Sequence, residues 1–166
     1  MLLNVPPDRR GRIHEIDLKS LETFGTLLKD TFAVDLAKKA KTTASNIRGR
    51  DSRAFGPANL IDDKRDTYWA TDDEITAPEV MLEFAQPVTF NIIRLREAIR
   101  LGQRIDDWGL DAWQNGAWAE FAKGTAIGSC RLVRGKSITT AKVRLRITRS
   151  PVAPAIAEFG LFLEPG

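Results

Sequence analysis

The chain has 166 residues, with 25 lysines and arginines against 22 aspartates and glutamates, and 43% of its residues are apolar. This is an ordinary globular composition, and the length suits one domain with a small addition. A net charge of +3 with interspersed acids and bases argues against nucleic-acid binding. The single cysteine, Cys130, excludes an intramolecular disulfide framework and a multi-cysteine zinc site. No apolar run approaches the roughly 18 residues of a membrane span.

The first 40 residues have a helical pattern. An apolar stub at residues 2–5 runs into a double proline and reads as the end of a strand. Apolar residues then recur at three- and four-residue spacing, which predicts a helix over residues 17–30 with Asp17 as its amino-terminal cap. A second helical turn is expected over residues 34–39. His14, the only histidine, is interpreted as a capping or surface residue.

From residue 79 the apolar period becomes two, which indicates half-buried strands. The Asn115–Gly116 pair tolerates the positive φ angles of a tight hairpin turn. No helix is expected between the strands after about residue 45. Short strands at this spacing predict an antiparallel β-sandwich of the jelly-roll type. The expected strands cover residues 79–84, 90–96, 109–113, 141–148 and 158–163.

An acidic turn, NLIDDKRDTYW at residues 59–69, could bind calcium. Asp62, Asp63, Asp66 and the Thr67 hydroxyl are close in sequence, and calcium takes six to eight oxygen ligands. The spacing is not that of an EF-hand, and a further carboxylate, Glu158, could complete the set. A solvated acidic turn explains the same residues at least as well.

The tryptophans offer a second kind of site. An exposed indole can stack on the apolar face of a sugar. Trp69 and Trp118 are expected in the core, whereas Trp108 and Trp113 lie nearer loop ends and are candidates for sugar stacking or for the core. No nucleophilic triad, phosphate-binding loop or flanking pair of catalytic carboxylates is identifiable, so no catalytic residue is assigned.

The first residues, LLNVPPDRRGRIHEIDLKSLETFGTLL, resemble the end of the catalytic barrel of family-29 α-L-fucosidases. The resemblance implies that residues 1–38 are the last strand and helix of a (β/α)8 barrel. It also implies that the chain is a C-terminal fragment, inactive by itself. The parent enzyme would hydrolyse terminal α-1,3/1,4-linked L-fucose with retention of configuration.

Residues 39–166 resemble a discoidin domain, also called coagulation factor V/VIII type C, the sandwich shared with family-32 carbohydrate-binding modules. The similar segments are NLIDDKRDTYWAT, FNIIRLRE, GTAIGSCRLVR and VRLRITRSPVAPAIAEFGLF. The resemblance implies a calcium site, although Asp63 and Lys64 replace a usual glycine and asparagine. The implied calcium ligands are Asn59, Asp62, Lys64, Thr67, Ala157 and Glu158.

A loop at residues 95–105 is similar to loops of sandwiches attached to these fucosidases, which implies a place near the barrel. Its expected docking groups are Glu97, Arg100, Gln103 and Arg104. The favoured function is therefore a calcium-braced structural module docked on the missing barrel. The alternative is a module that binds galactosyl or fucosyl glycans through Trp108 and Trp113. A periplasmic or secreted location is implied by the resemblance only.

Overall fold

The computed structural model of the protein describes residues 5–165, so the predicted strand stub lies almost entirely outside the described residues. Residues 5–34 with 164–165 form one compact unit, and residues 35–163 form the other. The predicted boundary after residue 38 falls inside the second unit. Asp35 explains the difference, because its Oδ1 accepts hydrogen bonds from the backbone N–H of Ala37 and of Leu161 in the last strand.

The first unit contains helix α1, Glu15–Thr31. Its amino-terminal cap is His14 rather than the predicted Asp17, and His14 Nδ1 accepts the Ile16 N–H at 3.3 Å. Asp17 lies in the first turn, where its charge suits the helix dipole. Ile16 is 70% exposed. In the described part of the chain, no helix is both long and apolar enough to cross a bilayer.

The second unit is built from seven antiparallel strands. The five predicted segments fall in four of these strands, because 79–84 and 90–96 are parts of one strand, Glu79–Glu97. Asn115 and Gly116 have the expected positive φ at the hairpin. The first two strands are short, and the sequence did not predict them. Contrary to expectation, one-turn helices follow residue 45, at Arg48–Arg50, Ser52–Phe55 (α2) and Pro57–Leu60. The strands are β1 Ala40–Ala44, β2 Trp69–Ala70, β3 Glu79–Glu97, β4 Asp107–Gln114, β5 Ala117–Thr125, β6 Arg131–Arg149 and β7 Ala155–Phe162.

Two long strands, β3 and β6, give the sandwich its shape. The strand order is β2-β7-β3-β6-β4-β5, and β1 also pairs with β3. The first part of β3 pairs with β1, and its last part pairs with β7, so β3 serves both layers. Register shifts between Glu83 and Val88 and between Phe90 and Ile92 interrupt its pairing with β6. Such irregularities let a strand bend from one layer to the next.

The core lies between the layers and follows the period-two pattern. Val80, Leu82 and Phe84 of β3 are buried while the residues between them are more exposed. Each large apolar side chain removed from water contributes about 1.5–3 kcal/mol. The expected fold class, a mainly antiparallel β-sandwich preceded by a helix, is confirmed. The largest fully buried side chains include Trp69, Trp108, Phe90, Phe159 and Phe162.

Candidate functional site

The loop that follows β3 is held from beneath by Glu97. This side chain is buried, and its Oε1 accepts the N–H groups of Arg104 at 2.7 Å and Ile105 at 3.0 Å. Its Oε2 accepts the N–H of Gly128 at 2.6 Å. One carboxylate therefore ties the loop to the segment before β6. Glu97 was predicted to contact the barrel, but its side chain is buried beneath the loop.

Above Glu97, the loop presents apolar side chains to solvent. Ile99 is 47% exposed and Leu101 is 39% exposed, and both belong to a one-turn helix, Ile99–Leu101. Val152 is a third exposed apolar residue of the same unit. We call residues 98–105 the docking loop. Because its backbone is fixed while its apolar side chains are uncovered, it is a candidate protein-binding surface.

The other predicted docking groups differ in their surroundings. Arg100 donates to the Asp66 carbonyl at 2.5 Å and lies 5.5 Å from the centre of the Tyr68 ring. Gln103 is exposed. Arg104 is half-buried and donates to the Ala153 carbonyl at 3.0 Å, so it stabilises the loop internally. Arg100 and Gln103 are thus the polar groups of the loop that remain most available to a partner.

The acidic turn brings together several of the predicted calcium ligands. Asp62 Oδ1 accepts the Lys64 N–H at 2.9 Å, and Asp62 Oδ2 accepts the Thr67 hydroxyl at 2.8 Å. The same hydroxyl lies 3.1 Å from the Lys64 carbonyl oxygen. Asp63 forms an ion pair with Lys38 at 2.8 Å, which holds the pKa of Asp63 below its usual value. These oxygens suit a hard cation such as calcium.

Two further predicted ligands are Asn59, in the one-turn helix Pro57–Leu60, and Ala157, in β7. The Asn59 amide donates to the carbonyls of Ala54 and Tyr68, which fixes the turn's entry and exit. Between Glu158 and Ile156 the register with β3 shifts, so Ala157 occupies a bulge. A bulge residue is left out of the regular ladder, which suits the predicted use of the Ala157 carbonyl as a ligand.

The carboxylate of Glu158 contacts two arginines. It contacts Arg94 through Oε1 and lies 2.5 Å from Arg96 Nε through Oε2, and all three side chains are mostly buried. Binding of Glu158 to a divalent cation would require it to exchange these partners. Among residues 5–165 no group of three or more His, Cys, Asp or Glu side chains is placed to hold a metal. The residues therefore fit calcium only in part.

A second carboxylate stands beside the same arginine. Asp35 Oδ2 lies 3.6 Å from Arg94 Nη2. Burial raises the pKa of Asp35, although hydrogen bonds from Leu161 and Ala37 and the charge of Arg94 oppose the shift. Asp35 and Glu158 therefore share Arg94 as a partner.

The burial of the four tryptophans differs from the prediction. Trp108 is only 2% exposed, and its Nε1 donates to the Thr125 carbonyl at 2.8 Å, so it belongs to the core and is not available for sugar stacking. Trp69 is buried as expected and donates to the Asn46 carbonyl. Trp113 is 38% exposed, and Trp118 is half-buried against it. Alternation along β4 was the missed signal, because Trp108 shares the parity of the buried Leu110.

A charged cluster lies on β4 and β6. Asp111 accepts from Arg146 Nε at 2.6 Å and from Arg144 Nη2 at 2.8 Å. The Arg146 hydrogen bond is the main cause of a lowered Asp111 pKa. The sequence shows the arginines as a stripe, but their common carboxylate becomes visible only when the strands pair.

The chain is similar in sequence to known proteins. Alpha-L-fucosidase 1 of Arabidopsis thaliana is 36% identical over 166 residues, which cover 98% of this chain and 33% of the relative. The chain is similar to part of an α-L-fucosidase. It spans about a third of the length of the curated relatives that it matches. No protein-family model matches the chain.

Solved structures agree with this similarity. A family-29 (GH29) fucosidase of Ruminococcus gnavus, solved with fucose, has a TM-score of 0.90 and 31% identity. The match covers 99% of this chain and 33% of that one. A chitosan-binding module from a Paenibacillus chitosanase/glucanase has a TM-score of 0.67 at 18% identity, covering 77% of this chain and 97% of that module. The second likeness shows the sandwich fold alone.

Proposed function

We propose that this chain is the accessory part of an α-L-fucosidase, in which a discoidin-like sandwich serves as a structural module docked on the catalytic barrel. The similarity to fucosidases over nearly the whole chain supports this assignment. The chain matches only about a third of those proteins, so the barrel would be supplied by other residues. The complete enzyme would hydrolyse terminal α-1,3/1,4-linked L-fucose with retention. This chain supplies no assigned catalytic residue and by itself would be inactive.

The docking loop, with a fixed backbone and exposed apolar side chains, is the main support for the proposal. Two of its backbone N–H groups, those of Arg104 and Ile105, donate to the buried Glu97, which also binds the N–H of Gly128, so the loop's shape does not have to be ordered on binding. Ile99 and Leu101 project from it into solvent. Apolar residues at the centre of an interface with polar groups such as Arg100 at its rim are the usual composition of a protein contact. A barrel surface is the partner that the fucosidase similarity supports.

In this module calcium would act at the acidic turn. The turn around Asp62 and Thr67 offers oxygen ligands, and calcium bound there would hold the turn rigid. Glu158 already has Arg94 and Arg96 as partners. Calcium binding therefore stays a prediction, and the arginine contacts supply a brace that needs no metal.

The carbohydrate-binding alternative now depends on Trp113. Trp108 is buried and is not available to stack on a sugar, whereas Trp113 retains a partly exposed indole.

A periplasmic or secreted location of the protein also stays a prediction.

A chimera tests the docking proposal. This chain would replace the matching third of the Arabidopsis relative, and fucosidase activity and thermal stability would be measured with 4-nitrophenyl α-L-fucoside as substrate. We expect an active chimera, and we expect no activity from the 166-residue chain alone. The Ile99→Asp/Leu101→Asp variant should lower the melting temperature of the chimera but not that of the isolated chain.

The matched control is Leu132→Asp, because Leu132 is also an exposed apolar residue but lies on β6. This variant should leave the chimera unchanged. Equal effects of both variants on the chimera, or no effect of either, would remove the docking loop from the interface.

A further inference from the structure

The outward face of β4, β5 and β6 combines an aromatic and a polar surface. Along β4, Trp108 and Leu110 point into the core, so Gly109, Asp111 and Trp113 share the opposite face. We call this surface the β4–β6 face. The register places three β5 residues opposite those three: Trp118 opposite Trp113, Glu120 opposite Asp111, and Lys123 opposite Gly109.

At one end of this face an indole is exposed yet held in place. Trp113 and Trp118 meet edge to face, with their ring centres 5.2 Å apart at 75°. The guanidinium of Arg144 lies 4.6 Å from the centre of the Trp118 ring, and Arg144 is in turn held by Asp111. Trp113 therefore keeps one orientation while more than a third of its surface stays in water. A fixed indole of this kind can stack on the apolar face of a sugar ring.

In the middle of the face the polar groups are preorganised. The Asp111 carboxylate is buried and accepts hydrogen bonds from both Arg144 and Arg146. Arg146 Nη2 also reaches Glu120 Oε2, but at 3.4 Å, a long contact that a ligand hydroxyl could replace. Because the arginines are fixed by Asp111, a ligand would not have to order them.

The other end of the face is a depression of about 390 Å³. At its base the Arg146 guanidinium packs over Gly109, where an added Cβ would lie 2.7 Å from Arg146 Nη2. Lys123 and Glu120 line it with opposite charges, beside Asp107 and Thr148. Carboxylates accept from hydroxyls and ammonium groups donate to them, so this mixture suits a neutral polyhydroxy ligand better than a polyanion.

The distance between the two ends suits a chain of sugars. Trp113 and Gly109 are four residues apart on one strand, which corresponds to about 14 Å. A short oligosaccharide could therefore stack on Trp113 and place hydroxyls against Glu120 and Lys123, which form an ion pair at 3.3 Å. From these features we infer that the β4–β6 face is a binding site for neutral oligosaccharides. This inference assigns a site to the carbohydrate-binding alternative of the proposed function and rests on that alternative. The docking loop contributes no residue to the face, so the inference can fail or succeed independently of the docking role.

The test is calorimetric titration of the 166-residue chain with two neutral trisaccharides, 3-fucosyllactose and cellotriose. Trigalacturonate serves as the anionic comparison. We expect at least one neutral trisaccharide to bind in the micromolar to millimolar range and to change tryptophan fluorescence, with weaker binding of trigalacturonate. Trp113→Ala should weaken the neutral binding about tenfold or more.

Lys123→Ala provides a second variant whose folding is not in question, because its side chain is 76% exposed. It should weaken binding several-fold, whereas the matched control Lys136→Ala, on an exposed part of β6, should not. Absence of binding by both neutral sugars would overturn the inference. So would stronger binding of trigalacturonate, or neutral binding that both Trp113→Ala and Lys123→Ala leave unchanged.

Discussion

Glu97 and Ile105 are joined across the docking loop: the Glu97 Oε1 atom accepts the backbone N–H of Ile105 at 3.0 Å. The same oxygen accepts the Arg104 N–H, and Oε2 accepts that of Gly128. A buried carboxylate that is hydrogen-bonded in this way fixes a loop whose own sequence has no regular pattern. The exposed positions of Ile99 and Leu101 depend on this residue, although it does not itself reach the surface.

Replacing Glu97 by alanine should destabilise the isolated chain by about 2–4 kcal/mol, because three backbone N–H groups lose a charged acceptor. Glu97→Gln should be milder, since its carbonyl oxygen can still accept from Arg104 and Ile105. Urea denaturation measures both changes. Gln103→Ala, on the exposed surface of the same loop, is the control and should have little effect. Equal stability of Glu97→Ala and the unmodified chain would contradict the proposed role.

Asp111 should make the sandwich sensitive to acid. Arg146 is the main cause of its lowered pKa, so its folded-state pKa lies below the usual 3.8. Its stabilising contribution is therefore complete above pH 3.8 and is lost as the pH falls through the folded-state value. Asp111→Asn should cost about 1–3 kcal/mol at neutral pH and progressively less in acid. Denaturation as a function of pH would show the two curves converging; a constant difference would exclude this linkage.

Asp35 should give the stability of the sandwich the opposite dependence on pH. Burial raises its folded-state pKa above 3.8, so its contribution is complete below pH 3.8 and is lost as the pH rises through the folded-state value. Carbon-13 NMR titration of the side-chain carboxyls should show Asp35 titrating above Asp111. The reverse order would show that hydrogen bonds from Leu161 and Ala37 outweigh burial.

Calcium removal tests the acidic turn. If Asp62 and Thr67 hold an ion, millimolar calcium should raise the melting temperature above that in EDTA, because a ligand bound only by the folded state stabilises it. Asp62→Ala should abolish the increase. Asp66→Ala is the matched control, because the Asp66 side chain is 96% exposed. Identical melting temperatures with calcium and with EDTA would leave Arg94 and Arg96 as the sole brace of Glu158.

Two glycines should differ in their tolerance of a methyl group. At Gly124 an added Cβ would lie 2.9 Å from the buried Trp108 ring, which has no room to move. At Gly109 it would meet the end of the Arg146 side chain, which is held by Asp111 but is 30% exposed and can shift towards solvent. Gly124→Ala should therefore destabilise the chain by about 1–3 kcal/mol, and Gly109→Ala by less. Thermal denaturation of both variants checks the order, and a larger loss for Gly109→Ala would contradict it.

Local sequence patterns determined much of the sandwich. Alternation in residues 79–84 and 141–148 predicted strands with the correct buried faces, because successive side chains of an extended backbone point to opposite sides. The same rule, applied from Leu110, assigns Trp108 to the core and Trp113 to the surface. The Asn115–Gly116 turn was also predictable, since its backbone requires positive φ. Such features depend only on neighbours along the chain.

Tertiary structure alone decided which distant groups meet. Asp111 reaches Arg144 only because β4 pairs with β6 in a particular register, and a shift of one residue would turn these side chains into the core. Glu158 meets Arg94 and Arg96 through a similar pairing of β7 with β3. The isolated sequence specifies the type of each side chain and the face it occupies. Register and loop closure, which depend on the packing of the whole sandwich, determine its partner.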